Sequence, residues 1–413
     1  MQKFANSPLC PSVATLSNGL RLVHVPRNAE VSWCGLAIGA GSRDEDDRKR
    51  GLAHFVEHTI FKGTTHRRAW HILNRMERVG GELNAYTTKE ETMLYTIFAD
   101  QHLPRAVELI ADLVQHSVFP DDELERELDV VLEEAASYRD SPADAAYDDF
   151  EDLMFDGNPM GHNVLGIEQD LRTLTRRDCL DYVERLYTPQ NMVFFYLGAT
   201  SPERVVRLAE RHLGQLQRQT ERKPRVKPEV HDVQHREVAL GCHQAHTIVG
   251  ARIPGMHDSQ RHAIALLNNI LGGPGMNSLL NVQLRERRGY VYTVESTAAM
   301  FTDCGLLEIY LGCDVDDVRS RLRVIDRITN ELASSPMSER RFEACKRQYC
   351  GQLLVAADNA EFMAFNAAKG VLYHGAPALL SQMVDRVMAV TPEQMRQAAE
   401  LVTYDHCSTL TLR

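Results

Sequence analysis

The sequence lacks the long apolar runs that secretion and membrane insertion require. The first part of the chain contains two prolines and no apolar stretch of signal-peptide length. No later segment approaches the roughly 18 consecutive apolar residues of a membrane span. We therefore expect a cytoplasmic protein without a membrane partner.

Paired cysteines and dense basic runs are also missing. The nine cysteines are odd in number and scattered, and none forms a Cys-x-x-Cys pair, which argues against a disulfide framework and a thiolate zinc site. The 46 basic and 57 acidic residues give a formal charge of -11, and no basic run is dense enough to neutralise a phosphate backbone. We expect reduced thiols and no nucleic-acid partner.

The chain is long enough for more than one domain. It has 413 residues, of which 44% are hydrophobic, and domains usually contain roughly 100–200 residues. The stretch 217–235 combines prolines and many charges with almost no apolar periodicity, which is typical of a linker. We therefore predict a first domain at 1–216, a linker at 217–235 and a second domain at 236–413.

The apolar pattern predicts the same kinds of element in both halves. The half before the linker contains a hairpin at 16–39 with its turn at Asn18-Gly19, helices at about 51–62, 103–116, 122–138 and 202–215, and strands within 82–98 and 191–198. The half after it contains strands within 238–251 and 290–312, a helix at about 260–271 and a long helix after Pro336. The predicted fold class is α+β, with two homologous domains that each contain a largely antiparallel sheet flanked by helices.

The first predicted helix contains a possible metal motif, His54-Phe55-Val56-Glu57-His58. Its other residues are apolar nearly all round, so the helix should be buried and its polar side chains need partners. At about 100° per residue, the two histidines lie about 40° apart on one face, and Glu57 falls about 60° beyond His54. This arrangement can place a base beside a water held by two imidazoles.

Zinc hydrolases usually supply a third protein ligand, which must come from elsewhere in the chain. The predicted helix 122–138 has an apolar stripe and several acidic residues. Glu133 points away from the stripe, whereas Glu134 and Glu127 lie at its border. Glu134 is the better ligand candidate, and Glu127 could hydrogen-bond a ligating group. The alternative is an acidic helix edge exposed to water.

The corresponding helix of the second half does not contain these side chains. When GLAHFVEHTIFKG is set against HAIALLNNILGGP, the positions of the two histidines and Glu57 are occupied by Ala265, Asn268 and Asn269. We therefore expect a duplicated unit in which only the first copy binds metal.

The motif together with the Glu133-Glu134 pair resembles the M16 peptidases, which include pitrilysin, insulin-degrading enzyme and mitochondrial processing peptidase. Further segments are similar along nearly the whole chain, namely LSNGLRLV, LNAYT, NPMGHNVLG, YTPQNMV and LRERRGYVY. The resemblance implies that His54, His58 and Glu134 bind one Zn²⁺ per chain and that Glu57 is the catalytic base. The length suggests the shorter two-domain subfamily, whose members pair as dimers around a chamber.

The resemblance also implies residues that hold the substrate. In LRERRGYVY, Arg285 and Tyr292 match positions that grip the substrate carbonyl, where such donors would stabilise an oxyanion. The segment containing Asn84, Ala85 and Tyr86 is similar to an edge strand on which a peptide lies by main-chain pairing. Without the family, Arg285 would be a surface-turn residue, and Tyr292 and Tyr86 would be ordinary strand residues.

A glycine-rich segment, LGGPGMNSLL at 271–280, resembles a loop of the family but departs from it at Pro274 and Leu279. Without the family it is a helix terminator, and it lacks the ending of a phosphate-binding loop.

These features predict a zinc-dependent endopeptidase that acts on short or unfolded peptides and works as a homodimer. The alternative is a catalytically silent scaffold, or a partner subunit of a heterodimeric peptidase, on the same fold. Silent copies usually lose part of the metal set, whereas this chain contains the complete set and the Arg/Tyr pair. The enzyme interpretation is therefore favoured.

Overall fold

The structure is a computed structural model that describes residues 10–413. The described chain forms two compact units, each built on its own β-sheet. The strands are β1 (Ser12–Thr15), β2 (Arg21–Pro26), β3 (Val31–Ile38), β4 (Glu82–Thr87), β5 (Thr92–Ala99), β6 (Met192–Gly198), β7 (His235–Val238), β8 (Gln244–Ile253), β9 (Thr293–Met300), β10 (Gly305–Asp314) and β11 (Ser408–Leu412). The α+β class with two sheets is confirmed.

Helices surround both sheets. They are α1 (Leu52–Thr59), α2 (Ala69–Glu77), α3 (Leu103–His116), α4 (Asp121–Arg139), α5 (Pro142–Met154), α6 (Glu168–Leu171), α7 (Arg176–Leu186), α8 (Pro202–Leu213), α9 (Arg261–Gly272), α10 (Val318–Ser334), α11 (Glu339–Ala356), α12 (Ala360–His374), α13 (Leu380–Met388) and α14 (Pro392–Glu400). Among the helices at 10–413, none is both long and apolar enough to cross a membrane.

The first unit contains residues up to 135 together with 162–225 and 355–382. Its strands lie in the order β1-β2-β6-β3-β5-β4, and every neighbouring pair is antiparallel except β2–β6. The central strand β6 is buried along its whole length because helices cover both faces of the sheet. One face packs against α1, α3 and α7, and the other packs against α12.

The second unit contains residues 136–161, 226–354 and 383–413. Its strands lie in the order β7-β11-β8-β10-β9, with β7–β11 as the parallel pair. One face of this sheet packs against α9, α10 and α14, and the other packs against α5. The helix α9 contacts the edge strand β9, as α1 contacts the edge strand β4 in the first unit. Both copies therefore place a helix beside an edge strand.

The hairpin predicted at 16–39 differs from the observed pairing. The turn at Asn18-Gly19 is present, and Gly19 has a φ of 89°, but it joins β1 to β2. The next strand, β3, does not pair with β2, because β6 lies between them and pairs with both. A strand that is distant in sequence thus occupies the position next to β2.

The compact units do not follow the two continuous ranges 1–216 and 236–413. Residues 136–161, which precede the predicted linker, belong to the second unit, and α5 covers its sheet. Residues 355–382, which lie far beyond the linker, belong to the first unit, and α12 covers its sheet. Each sheet has two apolar faces, and a helix from the other half of the sequence buries one of them.

The predicted linker 217–235 has no helix or strand before its last residue, where β7 begins. Its first half is nevertheless fixed to the first unit. The guanidinium of Arg225 is within 2.7 Å of the Asp44 carboxylate and 3.0 Å of the Glu90 carboxylate, and all three side chains are largely buried. The charged residues of this stretch therefore anchor the chain as well as connecting its two halves.

Candidate metal centre

Residues outside α1 hold the N-terminal end of this helix. Gly51, the residue before the helix, has a φ of 92°, a left-handed conformation that favours glycine. A Cβ atom there would lie 2.8 Å from the carbonyl oxygen of Leu165. The Glu45 carboxylate accepts hydrogen bonds from the backbone N–H groups of Gly51 at 3.0 Å and Ala53 at 2.8 Å. Glu45 thus replaces the side-chain cap that glycine cannot provide.

The donor atoms of His54, His58 and Glu134 converge. Nε2 of His58 lies 3.4 Å, and Nε2 of His54 3.8 Å, from Oε2 of Glu134. The two imidazole rings are 4.5 Å apart with 63° between their planes. One ligand atom of each residue lies within 4.8 Å of those of the other two. Three donors at this spacing can surround a single ion.

Glu127, Glu133 and Glu134 of α4 have different surroundings. Glu133 is exposed, whereas Glu134 faces the histidines and Glu127 is almost buried. Glu127 accepts a hydrogen bond from Nδ1 of His58 at 3.1 Å, and its other oxygen lies 2.6 Å from the ammonium of Lys62. Because Nδ1 of His58 carries the proton in this bond, Nε2 presents a lone pair beside Glu134.

Burial shifts the pKa values of His54 and Glu57. Burial, with a further contribution from neighbouring His58, lowers the pKa of His54 to about 4. The His54 imidazole is therefore neutral near pH 7 and can act as a ligand. Burial also raises the pKa of Glu57 above its usual value, and hydrogen bonding by Thr87 and the charge of His58 offset part of that rise.

Two features fit a zinc ion at this centre: the chemistry of its three candidate ligands and an unpaired oxygen of Glu57. Two neutral imidazoles and one carboxylate form a common ligand set for catalytic zinc, which keeps a further position for water. Within residues 10–413, Oε2 of Glu57 is buried without a hydrogen-bond partner. A buried unpaired carboxylate oxygen costs free energy, about 1–3 kcal/mol or more. A water beside the ion would provide the partner that Glu57 lacks.

The predicted substrate strand is β4, which is the edge of the first sheet and pairs there with β5 alone among the described strands. Leu83 and Ala85 pack into the core on the face that α1 covers. Tyr86 packs on the opposite face, where its ring lies 5.8 Å from that of Phe365. Asn84 shares the face of Tyr86 because side chains alternate along a strand. The side chains of Asn84 and Tyr86 therefore point away from α1, and Tyr86 is a packing residue.

Arg285 and Tyr292 belong to the second unit. Both side chains are exposed, and Tyr292 is 64% accessible. Arg285 lies in a short helical segment at 281–286 and lines a cavity of about 510 Å³. The backbone N–H of Tyr292 donates to the carbonyl oxygen of Gly312 at 3.0 Å, which fixes the chain just before β9. Both side chains are therefore accessible for contact with a ligand.

The same cavity is lined by Ala265, Asn268 and Asn269 of α9, the residues that align with the two histidines and Glu57. The candidate metal ligands and Glu57 of the first unit are thus replaced by other residues at the aligned positions of the second unit. Among the residues described, two groups could hold a metal ion. One is formed by His54, His58 and Glu134, the other is a separate cluster, and both lie in the first unit.

The glycine-rich segment after α9 is held by side-chain hydrogen bonds. Asn277 donates to Gln348 at 2.8 Å, and Gln348 donates to Asn277 at 2.9 Å. Met276 next to this pair is 69% exposed. The segment ends α9 and presents an apolar side chain to solvent.

The contacts of Glu45 and Lys62 were not predictable from the sequence. Glu45 accepts hydrogen bonds from the backbone N–H groups six and eight residues later. Glu45 precedes the helix, so helical periodicity does not relate it to these N–H groups. Lys62 follows the motif, but its contact with Glu127 depends on how α4 lies against the end of α1. The only sequence signal was a glycine directly before the helix, Gly51, which has no side-chain oxygen to cap it.

Two family models match most of the chain. Residues 22–167 match the model of the insulinase family, peptidase family M16, and residues 173–349 match the model of the peptidase M16 inactive domain. The chain therefore belongs to peptidase family M16. The first match contains both histidines of the motif, Glu57 and Glu134.

Several relatives have names that agree with this assignment. The chain is 33% identical to an uncharacterized zinc protease of Mycobacterium leprae over 93% of this chain and 87% of the relative. It is 27% identical to the mitochondrial-processing peptidase subunit beta of Bos taurus over 95% of this chain and 82% of that subunit. The chain is thus similar to proteins named as zinc proteases and as a processing peptidase subunit.

Solved structures share the fold. A protease from Helicobacter pylori superimposes with a TM-score of 0.91 at 21% identity and covers 98% of this chain and 99% of its own. A peptidase M16 inactive domain protein from Pseudomonas fluorescens gives a TM-score of 0.90 at 17% identity and covers 98% of both chains. At these identities the likeness concerns the fold alone.

Proposed function

We propose that this protein is a zinc-dependent endopeptidase that cleaves short or unfolded peptides. The observation that carries the proposal is the convergence of His54, His58 and Glu134 within 4.8 Å, next to a buried Glu57 carboxylate with one unpaired oxygen in the described chain. Ligands and base then occur together in one unit. This combination is what hydrolysis of a peptide bond by an activated water requires.

Each residue has a distinct role in this proposal. A zinc ion bound by the two histidines and Glu134 would supply Lewis-acid activation of a water and of the scissile carbonyl. Glu57 accepts the proton of the attacking water and later returns a proton to the leaving amine. The raised pKa of Glu57 makes it a better match for both transfers than an ordinary exposed carboxylate. Arg285 and Tyr292 donate hydrogen bonds to the substrate oxygen on which negative charge develops.

The edge strand β4 is the proposed place of peptide binding. Its outer side has no neighbouring strand within the described residues, and α1 packs beside it. A peptide that adds to this edge forms main-chain hydrogen bonds that do not depend on its side chains. Since Asn84 and Tyr86 face away from α1, we assign substrate binding here to the β4 backbone around Ala85. Such binding requires an extended and therefore unfolded substrate.

We further propose that the protein works in the cytoplasm as a homodimer that encloses a chamber. The proposed dimer follows from the resemblance of the whole chain to the two-domain family members. The net charge of -11 is consistent with peptide substrates and gives no support for a nucleic-acid partner. An enclosed chamber would exclude folded proteins and admit flexible peptides.

The experiment compares zinc content with hydrolysis of a mixed peptide library. After dialysis, wild type should retain about one zinc per chain, because only the first repeat has the ligands. His54→Ala/His58→Ala should lose both zinc and hydrolysis. Glu57→Gln should keep zinc but lose at least about two orders of magnitude in rate, because an amide cannot accept the proton. His71→Ala, which changes an exposed histidine of α2, is the matched control.

Two outcomes would contradict the proposal. Near-wild-type hydrolysis by Glu57→Gln would show that Glu57 is not the base. Zinc-loaded wild type that cleaves no member of the library would instead favour the catalytically silent scaffold or partner subunit.

A further inference from the structure

A second cluster of possible metal ligands lies outside the centre just described. It consists of His66, in the loop after α1, and Asp112 and His116, in the last turns of α3. Asp112 and His116 are four residues apart, so they lie on the same face of the helix. One ligand atom of each of the three residues lies within 4.8 Å of those of the others.

The carboxylate of Asp112 is fixed in one orientation. One of its oxygens, Oδ2, accepts hydrogen bonds from Thr64 at 2.9 Å and from Arg67 at 2.5 Å. The other oxygen, Oδ1, lies 2.6 Å from Nδ1 of His66. The Asp112 side chain is 4% exposed, and that of His66 is 57% exposed. Oδ1 is thus aimed at an imidazole that is open to solvent.

The backbone already holds the loop against the end of α3. The N–H of Thr65 donates to the carbonyl oxygen of His116 at 2.9 Å, and the N–H of Val118 donates to that of Gly63 at 3.0 Å. The rings of His66 and His116 meet edge to face with their centroids 4.6 Å apart. Because the loop and helix are joined on both sides of the cluster, little conformational entropy remains to be lost when a ligand binds.

Most of the charged groups around this cluster compensate one another, and Arg218 adds a positive charge near His116. Arg67 is paired with Asp112 and with Glu108, and Glu108 also pairs with Arg75 at 2.8 Å. The two arginines and two carboxylates therefore compensate each other.

We propose that His66, Asp112 and His116 form a second binding site for a first-row transition-metal dication such as Zn²⁺. Two imidazoles and one carboxylate match the donor preference of these ions. Donor atoms around a tetrahedral zinc ion are about 3.3 Å apart. The His66 ring must therefore move outward slightly from Asp112, which its exposure permits, and must release the proton of Nδ1.

This second site binds more weakly than the centre on α1. Asp112 shares its charge with Arg67, and the His66–Asp112 hydrogen bond must be exchanged for metal coordination. The site is filled when free metal is added and is emptied by dialysis, so about one zinc per chain remains at the first centre. A bound ion would tie the loop at 63–67 to the end of α3 and stabilise the first unit.

The test is a titration of the metal-free full-length protein with Co²⁺, in which binding is measured by visible absorption and by calorimetry. His54→Ala/His58→Ala removes the first centre and should still bind about one Co²⁺ per chain. His66→Ala/His116→Ala should lose the weaker binding event and keep the stronger one. The variant with all four substitutions should bind at least about tenfold more weakly than either double variant. His71→Ala is the matched control and should bind as wild type does.

Thermal unfolding gives a second readout. Added Zn²⁺ should raise the melting temperature of His54→Ala/His58→Ala, because the ion binds the folded form. His66→Asn/His116→Asn, introduced into that variant, should abolish this rise while leaving the metal-free melting temperature nearly unchanged. The proposal is overturned if His54→Ala/His58→Ala binds no Co²⁺, or if the variant with all four substitutions binds as tightly as the double variants.

Discussion

At the scale of single residues, two carboxylates of α4 perform different tasks beside the same histidine. Glu134 places an oxygen 3.4 Å from Nε2 of His58, and Glu127 accepts a hydrogen bond from Nδ1 of the same ring. One carboxylate thus lies where the proposed ligand is needed, and the other fixes the tautomer of a second proposed ligand. Lys62 neutralises Glu127, so the negative charge of Glu134 is the one that faces the site.

Glu134→Gln and Glu133→Gln form a matched pair because the two residues are neighbours on one helix. Glu134→Gln should weaken zinc binding by at least about tenfold, since an amide oxygen is a poorer zinc ligand than a carboxylate. Glu133→Gln removes the same charge from an exposed position and should leave zinc affinity unchanged. Zinc affinity is measured by competition with a chromophoric chelator. Equal affinities in the two variants would contradict the assignment of Glu134 as a ligand.

The sequence predicts the orientation of a side chain when local helix geometry determines it, and does not when packing between distant elements determines it. The helix period alone separated Glu134 and Glu127 from Glu133, because helical geometry places them on different faces. The orientations of Asn84 and Tyr86 were not predictable in this way. Alternation along β4 places both side chains on the same face of the sheet. Whether that face meets α1 or α12 depends on how these helices pack against the sheet.

At the scale of elements, α1 depends on a contact from the preceding loop. The residue before the helix is glycine, which provides no side-chain oxygen, and Glu45 binds the first N–H groups instead. Although Glu45 as a whole is only half-buried, protein surrounds its carboxylate. This burial raises the pKa of Glu45 to about 8, against the opposing effect of the Ala53 and Gly51 N–H groups.

The pKa of Glu45 predicts a pH-dependent stability. Between the ordinary carboxyl pKa and about 8, the folded protein binds more protons than the unfolded chain, so the free energy of unfolding should fall as pH rises through this window. Glu45→Gln cannot ionise and should lack this part of the fall. The measurement is the urea midpoint of both proteins between about pH 5 and pH 9.

The control for this comparison is Glu77→Gln, which changes an exposed carboxylate on α2. It should keep the wild-type dependence of stability on pH. An identical dependence in wild type and Glu45→Gln would show that the carboxylate of Glu45 does not change its protonation in this range.

Helices with a clear apolar period were predicted close to their observed bounds. The prediction at 103–116 coincides with α3, and that at 122–138 differs from α4 by one residue at each end. The sheet to which each helix belongs was harder to predict. Both α5 and α12 bury one face, but the apolar periodicity of α12 is weak, and periodicity does not identify the partner surface of either helix.

At the scale of the whole molecule, each half of the sequence contributes one segment to the compact unit formed mainly by the other half. The outer face of the first sheet contains apolar residues of β2, β3, β5 and β6. The buried residues that cover this face come from α12, more than a hundred residues beyond the predicted linker. The first unit therefore cannot be completed by residues 1–216 alone, since that range would leave an apolar sheet face exposed to water.

This contribution of α12 to the first unit predicts that a substitution late in the chain will impair the metal centre early in it. Ala364 of α12 is fully buried against the first sheet. Ala364→Asp would bury an unpaired charge there and should lower the free energy of unfolding by about 3 kcal/mol or more, with loss of zinc at physiological temperature. Ala376→Asp introduces the same charge at an exposed position and should keep both stability and zinc. Urea unfolding and elemental analysis of the two variants provide the measurement. If Ala364→Asp retained zinc and unfolded at the wild-type urea concentration, α12 would not be required by the first unit.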